Sequence, residues 1–282
     1  MEKLFQQIFY DQSIRILDDS GRTNLFNRPY SAISSFAIED SIATAVGKGK
    51  APMSVRFWVH ERTLVLGIPD ARLPYLEDGV RYVRSLGYNV IVRNSGGLAV
   101  LLDRNVLNVS LILPSSRNLS IHDGYDLMYT LVQQLLEREE THVQAYEIVG
   151  SYCPGDYDLS INGKKFAGIS QRRVREGISV QMYLDVAGSS YERAKLVKQF
   201  YTHAKRNEPT RFSYPKVNPH VMASLSELLQ KEFSVQEMKD RFVHLLVRHG
   251  AKVRTDSYTP TEEVLFHNRI MQMEKRNEVL RF

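Results

Sequence analysis

Cys153 is the one cysteine among 282 residues, set in Gly150-Ser151-Tyr152-Cys153-Pro154-Gly155, and Lys165 follows shortly in Gly163-Lys164-Lys165-Phe166-Ala167-Gly168-Ile169-Ser170. A thiol and an amine this close in the chain can form a nucleophile pair. A thiolate attacks acyl groups far better than a thiol, and a neighbouring ammonium favours the charged sulfur. A lone cysteine is also commonly a small buried apolar residue with no chemistry. Against that reading, Pro154-Gly155-Asp156 forms a turn, which sets Cys153 at the end of a strand-like segment, where exposed catalytic groups tend to lie.

The elements that must hold this pair can be read from periodicity and punctuation. Residues 157–161 alternate polar and apolar, Asn162-Gly163 is the strongest short hairpin signal, and residues 165–169 return antiparallel. Lys165 is thereby brought back alongside the Cys153 turn, and Lys164 faces the other way, into solvent. A further strand at 178–184 follows the basic turn Arg172-Arg173-Val174-Arg175, which reads either as a solvated hairpin tip or as a landing surface for an acidic partner.

Upstream, residues 31–46 read as a helix stopped by Gly47. Strands at 54–59 and 63–67 are joined by His60-Glu61-Arg62, a polar hairpin loop, and a helix carries Leu73, Leu76, Val80 and Val83 before Gly87. Residues 88–93, 98–102 and 106–113 have strand composition, the last two apolar enough for central places in a sheet. Ser120 and Asp123 open a helix that runs to about Glu139. From Ser189 onward the chain reads as helical, with starts at Ser189, Asn218-Pro219, Ser234 and Thr259-Pro260. The expected fold is α/β or α+β, a mixed sheet flanked by helices, with an N-terminal extension at 1–30, a catalytic domain at 31–250 and a helical tail at 251–282.

Composition narrows the function classes. At 43% hydrophobic the chain buries a substantial core. No apolar run reaches the roughly 18 residues of a membrane span, and the acidic residues of the first nineteen positions fit neither a secretory signal nor an organelle presequence. One cysteine permits no internal disulfide, which points to a reducing cytoplasm. No thiolate-rich metal site is possible, and the eight histidines lack ligand spacing, so no metal is expected. The net charge of +5 is spread rather than striped, so neither nucleic acid nor a membrane is an expected partner. Trp58 reads as an ordinary core aromatic, with a place in a ligand pocket as the alternative.

Arg93-Asn94-Ser95-Gly96-Gly97 lies between two strands, where its glycines let backbone approach a ligand and Arg93 and Ser95 offer polar groups. Continued through Leu98-Ala99-Val100 to Asp103 and Leu107-Asn108, and joined to Gly163–Ser170 and Ala223–Leu228, this pattern resembles the biotin/lipoate protein ligase and octanoyltransferase superfamily over about residues 30 to 230. Within it, Gly150–Gly155 followed by Tyr157-Asp158-Leu159-Ser160 is similar to the cysteine-dependent amidotransferases. These move an octanoyl group from the glycine cleavage H protein to the lipoyl domains of 2-oxoacid dehydrogenases.

The resemblance implies a biotin/lipoate ligase-like mixed sheet packed with helices. It implies an acyl site formed by Arg93, Ser95, Gly96, Gly97 and Gly168, and catalysis by Cys153 and Lys165 through a thioester, with no cofactor. Lys165 would lower the thiol's pKa and, having received its proton, protonate the departing amine. Leu98 replaces the third glycine of the ATP-dependent ligases, and Leu102-Asp103 replaces their His-Asp pair, which favours direct transfer. Transfer from acyl carrier protein, ATP-dependent ligation of lipoate, and non-catalytic binding of carrier domains are the alternatives.

Overall fold

The computed structural model describes residues 2–282. In chain order the elements begin with α1 (Glu2–Phe9), β1 (Ser13–Asp18), the short pair β2 (Asn24–Leu25) and β3 (Arg28–Pro29), α2 (Ala32–Gly47), β4 (Ser54–Trp58) and β5 (Thr63–Leu66). Next come α3 (Leu76–Ser85), β6 (Asn89–Val92), β7 (Val100–Leu102), β8 (Val106–Pro114), α4 (Ile121–Leu135), β9 (Gln144–Ala145) and β10 (Asp158–Ile161). The chain finishes with β11 (Lys164–Val174), β12 (Gly177–Asp185), α5 (Ser190–Lys205), α6 (Leu225–Leu229), α7 (Val235–Arg248), β13 (Lys252–Thr255) and α8 (Pro260–Asn277).

An eight-stranded mixed sheet runs in the order β13-β1-β4-β8-β12-β11-β10-β9. Its first three strands are parallel and the rest antiparallel. Alternation along β8 explains the two layers around it. Leu107, Val109, Leu111 and Leu113 enter the core shared with α1, α4 and α7, while Ile112, Trp58 and Tyr183 face the core beneath α2, α3, α5 and α8. On this second side a smaller sheet, β6-β5-β7, covers part of the large one.

Two expectations from the sequence are corrected here. Strands β4 and β5 do not form a hairpin: β4 lies in the large sheet against β8, and β5 in the small one between β6 and β7. His60 is buried, hydrogen-bonded to Ser35 and stacked on Tyr30, while Glu61 and Arg62 are exposed, so the segment is an anchored bend between two sheets rather than a hairpin loop. For the same reason β7 is not a central strand beside β8; it is the edge of the small sheet.

The segments at 1–30 and 251–282 each give a strand to the large sheet, with β1 between β13 and β4. Arg15 on β1 donates from Nη1 to Glu262 Oε2 of α8 at 3.0 Å, with both groups fully buried. Replacing Arg15 by methionine leaves that carboxylate without a counter-charge and is expected to cost about 3–5 kcal/mol. Urea unfolding followed by circular dichroism measures it as a lowered midpoint.

Candidate active site

The β10–β11 hairpin turns at Asn162 and Gly163 with positive φ at both, 51° and 72°, as a type I′ turn requires. It delivers Lys165 into the interior with 1% exposure, while Lys164 is exposed. Lys165 Nζ donates to the carbonyl oxygens of Tyr152 (2.9 Å) and Cys153 (2.8 Å) and to Ser151 Oγ (3.3 Å), and pairs with Asp158 Oδ1 at 2.8 Å. Asp158 Oδ2 in turn accepts from the Ile148 N–H and the Ser151 hydroxyl. Burial holds the Asp158 carboxyl above the ordinary carboxylate range, against the pull of the Lys165 ammonium. The buried pair therefore fastens the whole Gly150–Cys153 turn, in which Cys153 takes a left-handed φ of 46° that a non-glycine residue adopts only when its surroundings enforce it.

The hydrogen bonds to Cys153 Sγ come from elsewhere. Among the described residues the donors are the Leu98 N–H at 3.2 Å and Arg93 Nη2 at 3.4 Å, and the same Nη2 donates to the Leu98 carbonyl at 2.9 Å. The cation in direct contact with the sulfur is thus the guanidinium of the glycine loop. Gly97, at φ 91°, makes this approach possible: a Cβ there would collide with Arg93 Nη2 and stand 2.8 Å from Sγ.

A cavity of about 240 Å³ opens against Cys153 and Lys165. Its floor is the large sheet, where cross-strand pairing sets Trp58, Asn108, Tyr183 and Gly168 in one row and Gln181 and Ser170 in the next. Its roof is Phe36 of α2, Val65, Val100 and Leu102 of the small sheet, and the Arg93–Gly97 loop. Trp58, 5% exposed, is both a core aromatic and a wall of this space. An apolar slot ending at a sulfur can hold a medium-length acyl chain with its carbonyl beside the nucleophile.

The residues expected to form the site fall together with one exception. Arg93, Gly96, Gly97, Cys153, Lys165 and Gly168 all border the cavity. Ser95 is buried within the loop, its hydroxyl has no hydrogen-bond partner among the described residues, and it does not border the cavity. Three contributors escaped the sequence reading. Asp158 holds Lys165; its charged side chain in an otherwise buried strand is the signal that could have marked it. The Leu98 N–H is a backbone group with no signature. Arg172, read as part of a basic tip, instead donates to the Asn94 carbonyl (2.8 Å) and to Asp40 Oδ2 (2.7 Å), clamping the glycine loop onto α2. That engagement removes Arg172 from any free landing surface.

Residues 31–246 match the model of the lipoyl protein ligase A/B catalytic domain. The chain belongs to the lipoyl protein ligase A/B catalytic domain family. It is 48% identical over 276 residues to an octanoyl-GcvH:protein N-octanoyltransferase of Oceanobacillus iheyensis, covering 98% of this chain and 99% of that protein. A protein of the same name from Anoxybacillus flavithermus is 47% identical over 281 residues, covering 99% and 98%. Among solved structures, lipoate-protein ligase A bound with ATP superposes with a TM-score of 0.71 at 18% identity, covering 96% of this chain and 99% of that one. The last likeness speaks for the shared fold. Leu102 lies on the cavity roof, and Asp103 is paired with Arg193 at 2.7 Å.

Proposed function

We propose that this chain moves an octanoyl group from the lysine of octanoylated GcvH, through a thioester on Cys153, to the lysine of a lipoyl domain. The observation that carries the reading is the position of Sγ, between the Arg93 guanidinium and the Leu98 N–H at the end of an apolar cavity, with the Lys165 ammonium against the same turn. The activity for which the two relatives are named supports the donor and the acyl group. Residues 31–250 contain every group assigned to the site. A thiol that must stay reduced suits the cytoplasm, where we place the reaction.

In the first half-reaction Sγ, ionised with Arg93 and the Leu98 N–H beside it, adds to the amide carbonyl. Collapse forms the C–S bond and breaks C–N. The amine is a poor leaving group unless protonated as it departs, and Lys165 supplies that proton. When it becomes neutral Lys165 keeps two Nζ protons, which still donate to two of its four acceptors at rest. In the second half-reaction the acceptor lysine attacks the thioester and Lys165 recovers a proton from it. The thiolate leaves, and the site returns to its starting state.

Mixing the protein with octanoylated GcvH, without nucleotide, is expected to add one octanoyl mass to the intact chain, and Cys153→Ala is expected to add none. An unmodified wild-type chain, or a Cys153→Ala chain that still transfers octanoate, would overturn the proposal. Acylation from octanoyl-acyl carrier protein in preference to GcvH would replace the donor.

A further inference from the structure

β7 joins β5 only from Val100, which pairs with Val65, so the N–H of Ala99 lies beyond the ladder and must find an acceptor elsewhere. It finds the hydroxyl oxygen of Tyr201 on α5, at 3.3 Å. That oxygen is free to accept because its own proton goes to Asp70 Oδ1 at 2.9 Å. Asp70 is fully buried in the turn after β5, and its second oxygen accepts the Gly67 N–H at 2.7 Å. Gly67 in turn underlies the glycine loop so closely that a Cβ on it would overlap the Gly97 carbonyl and stand 3.1 Å from Leu98 Cα. One carboxylate therefore secures the backbone on both sides of Gly97 and Leu98: underneath through Gly67, and beyond through Tyr201 and Ala99.

The peptide between these two anchors is the one whose N–H points at Cys153 Sγ. We infer that Asp70 and Tyr201 are positioning residues for the reactive sulfur, fixing the direction of the Leu98 N–H through the chain from Asp70 carboxylate to Tyr201 hydroxyl to Ala99 N–H. The inference rests on Cys153 as the nucleophile of the proposed reaction. Neither residue borders the cavity, so neither meets the acyl chain. Their influence reaches the sulfur through the backbone, and burial pushes the Asp70 carboxyl up to about 6. If the pair merely satisfied buried polar groups, its loss would lower stability and leave the thiol's ionisation where it was.

Because the chain has a single cysteine, alkylation by iodoacetamide reports Cys153 alone. Its rate, followed against pH in the full chain, gives the thiol's titration without any acyl donor. For Tyr201→Phe we expect the profile to move up by about one pH unit and alkylation at pH 7 to slow by about tenfold, since only the thiolate reacts. The turnover rate for octanoyl transfer should fall with it while KM stays within about twofold, the pattern of an interaction that acts on the reacting group rather than on binding. Asp70→Asn, of equal size, withdraws the acceptor of the Tyr201 proton and should move the profile in the same direction but by less, because the lost negative charge itself favours the thiolate; it serves if Tyr201→Phe fails to fold. Tyr129→Phe removes a comparable hydroxyl bond, to the Val143 carbonyl on the far side of the large sheet, and should superimpose on wild type.

Unchanged profiles for Tyr201→Phe and Asp70→Asn would overturn the inference, as would an equal displacement in Tyr129→Phe. Neither result would touch the assignment of the nucleophile. That assignment fails on a different observation, transfer by Cys153→Ala, which leaves the alkylation profiles of the cysteine-containing variants as they are.

Discussion

Lys165→Met is expected to lower the rate of Cys153 acylation by roughly 10³-fold, within the range that loss of a positioned proton donor produces. Methionine keeps most of the stem volume but donates to nothing. The carbonyls of Tyr152 and Cys153 lose their shared donor, and Asp158 is left buried without its partner. A turn that holds Cys153 at positive φ then lacks the contacts that enforce it. Lys165→Arg separates holding from proton transfer. A guanidinium can reach carbonyl oxygens but does not release a proton near neutral pH. Intact-mass burst measurements on both variants test this. Slow acylation in Lys165→Arg with wild-type thermal stability would assign the proton to Lys165, and wild-type rates in Lys165→Met would remove the residue from the chemistry.

Arg93→Met is expected to act on the other half of the problem, the charge on sulfur, and to slow acylation by about 10²-fold, as removal of one preorganised donor does elsewhere. Its Nη2 is the nearest cation to Sγ and also braces the Leu98 carbonyl, so its loss weakens both stabilisers of the thiolate together. The expected signature is an upward move of the pH profile for thiol alkylation, with the burst amplitude at high pH retained. If Arg93→Met instead raised KM for the octanoylated donor with the alkylation profile unmoved, Arg93 would be a substrate-binding residue only. The two variants thus test separate parts of the proposal: proton transfer by Lys165 and charge stabilisation by Arg93.

The sequence revealed the site's membership more fully than its wiring. Local chemistry was readable because it is local. Asn162-Gly163 favours a type I′ turn through the backbone preferences of those two residues, and Ser120, Ser189, Ser234 and Thr259 cap their helices through the residue three positions on. That the hairpin brings Lys165 back to the Cys153 turn followed from the same local logic. Misread were the pairings set by tertiary packing. β4 and β5 look like a hairpin across residues 54–67, yet they enter different sheets, with His60 between them buried against Ser35 and Tyr30. Likewise Arg172 looks like surface charge until α2 presents Asp40 to it across 132 positions. The direct donors to sulfur, a guanidinium sixty residues away and a backbone amide, depend on a loop conformation that no spacing rule encodes.

The place of β1 in the large sheet bears on how the protein is made. Its neighbour on one side, β4, leaves the ribosome soon after it, but the other, β13, is synthesised more than two hundred residues later. Throughout translation of the intervening chain β1 offers an open row of backbone donors and acceptors on the side that β13 later covers. Completion of the large sheet therefore waits until Lys252–Thr255 have been made. Nascent molecules stalled short of Lys252 would be the ones most prone to pair with each other, or to recruit the chaperones that shield such edges.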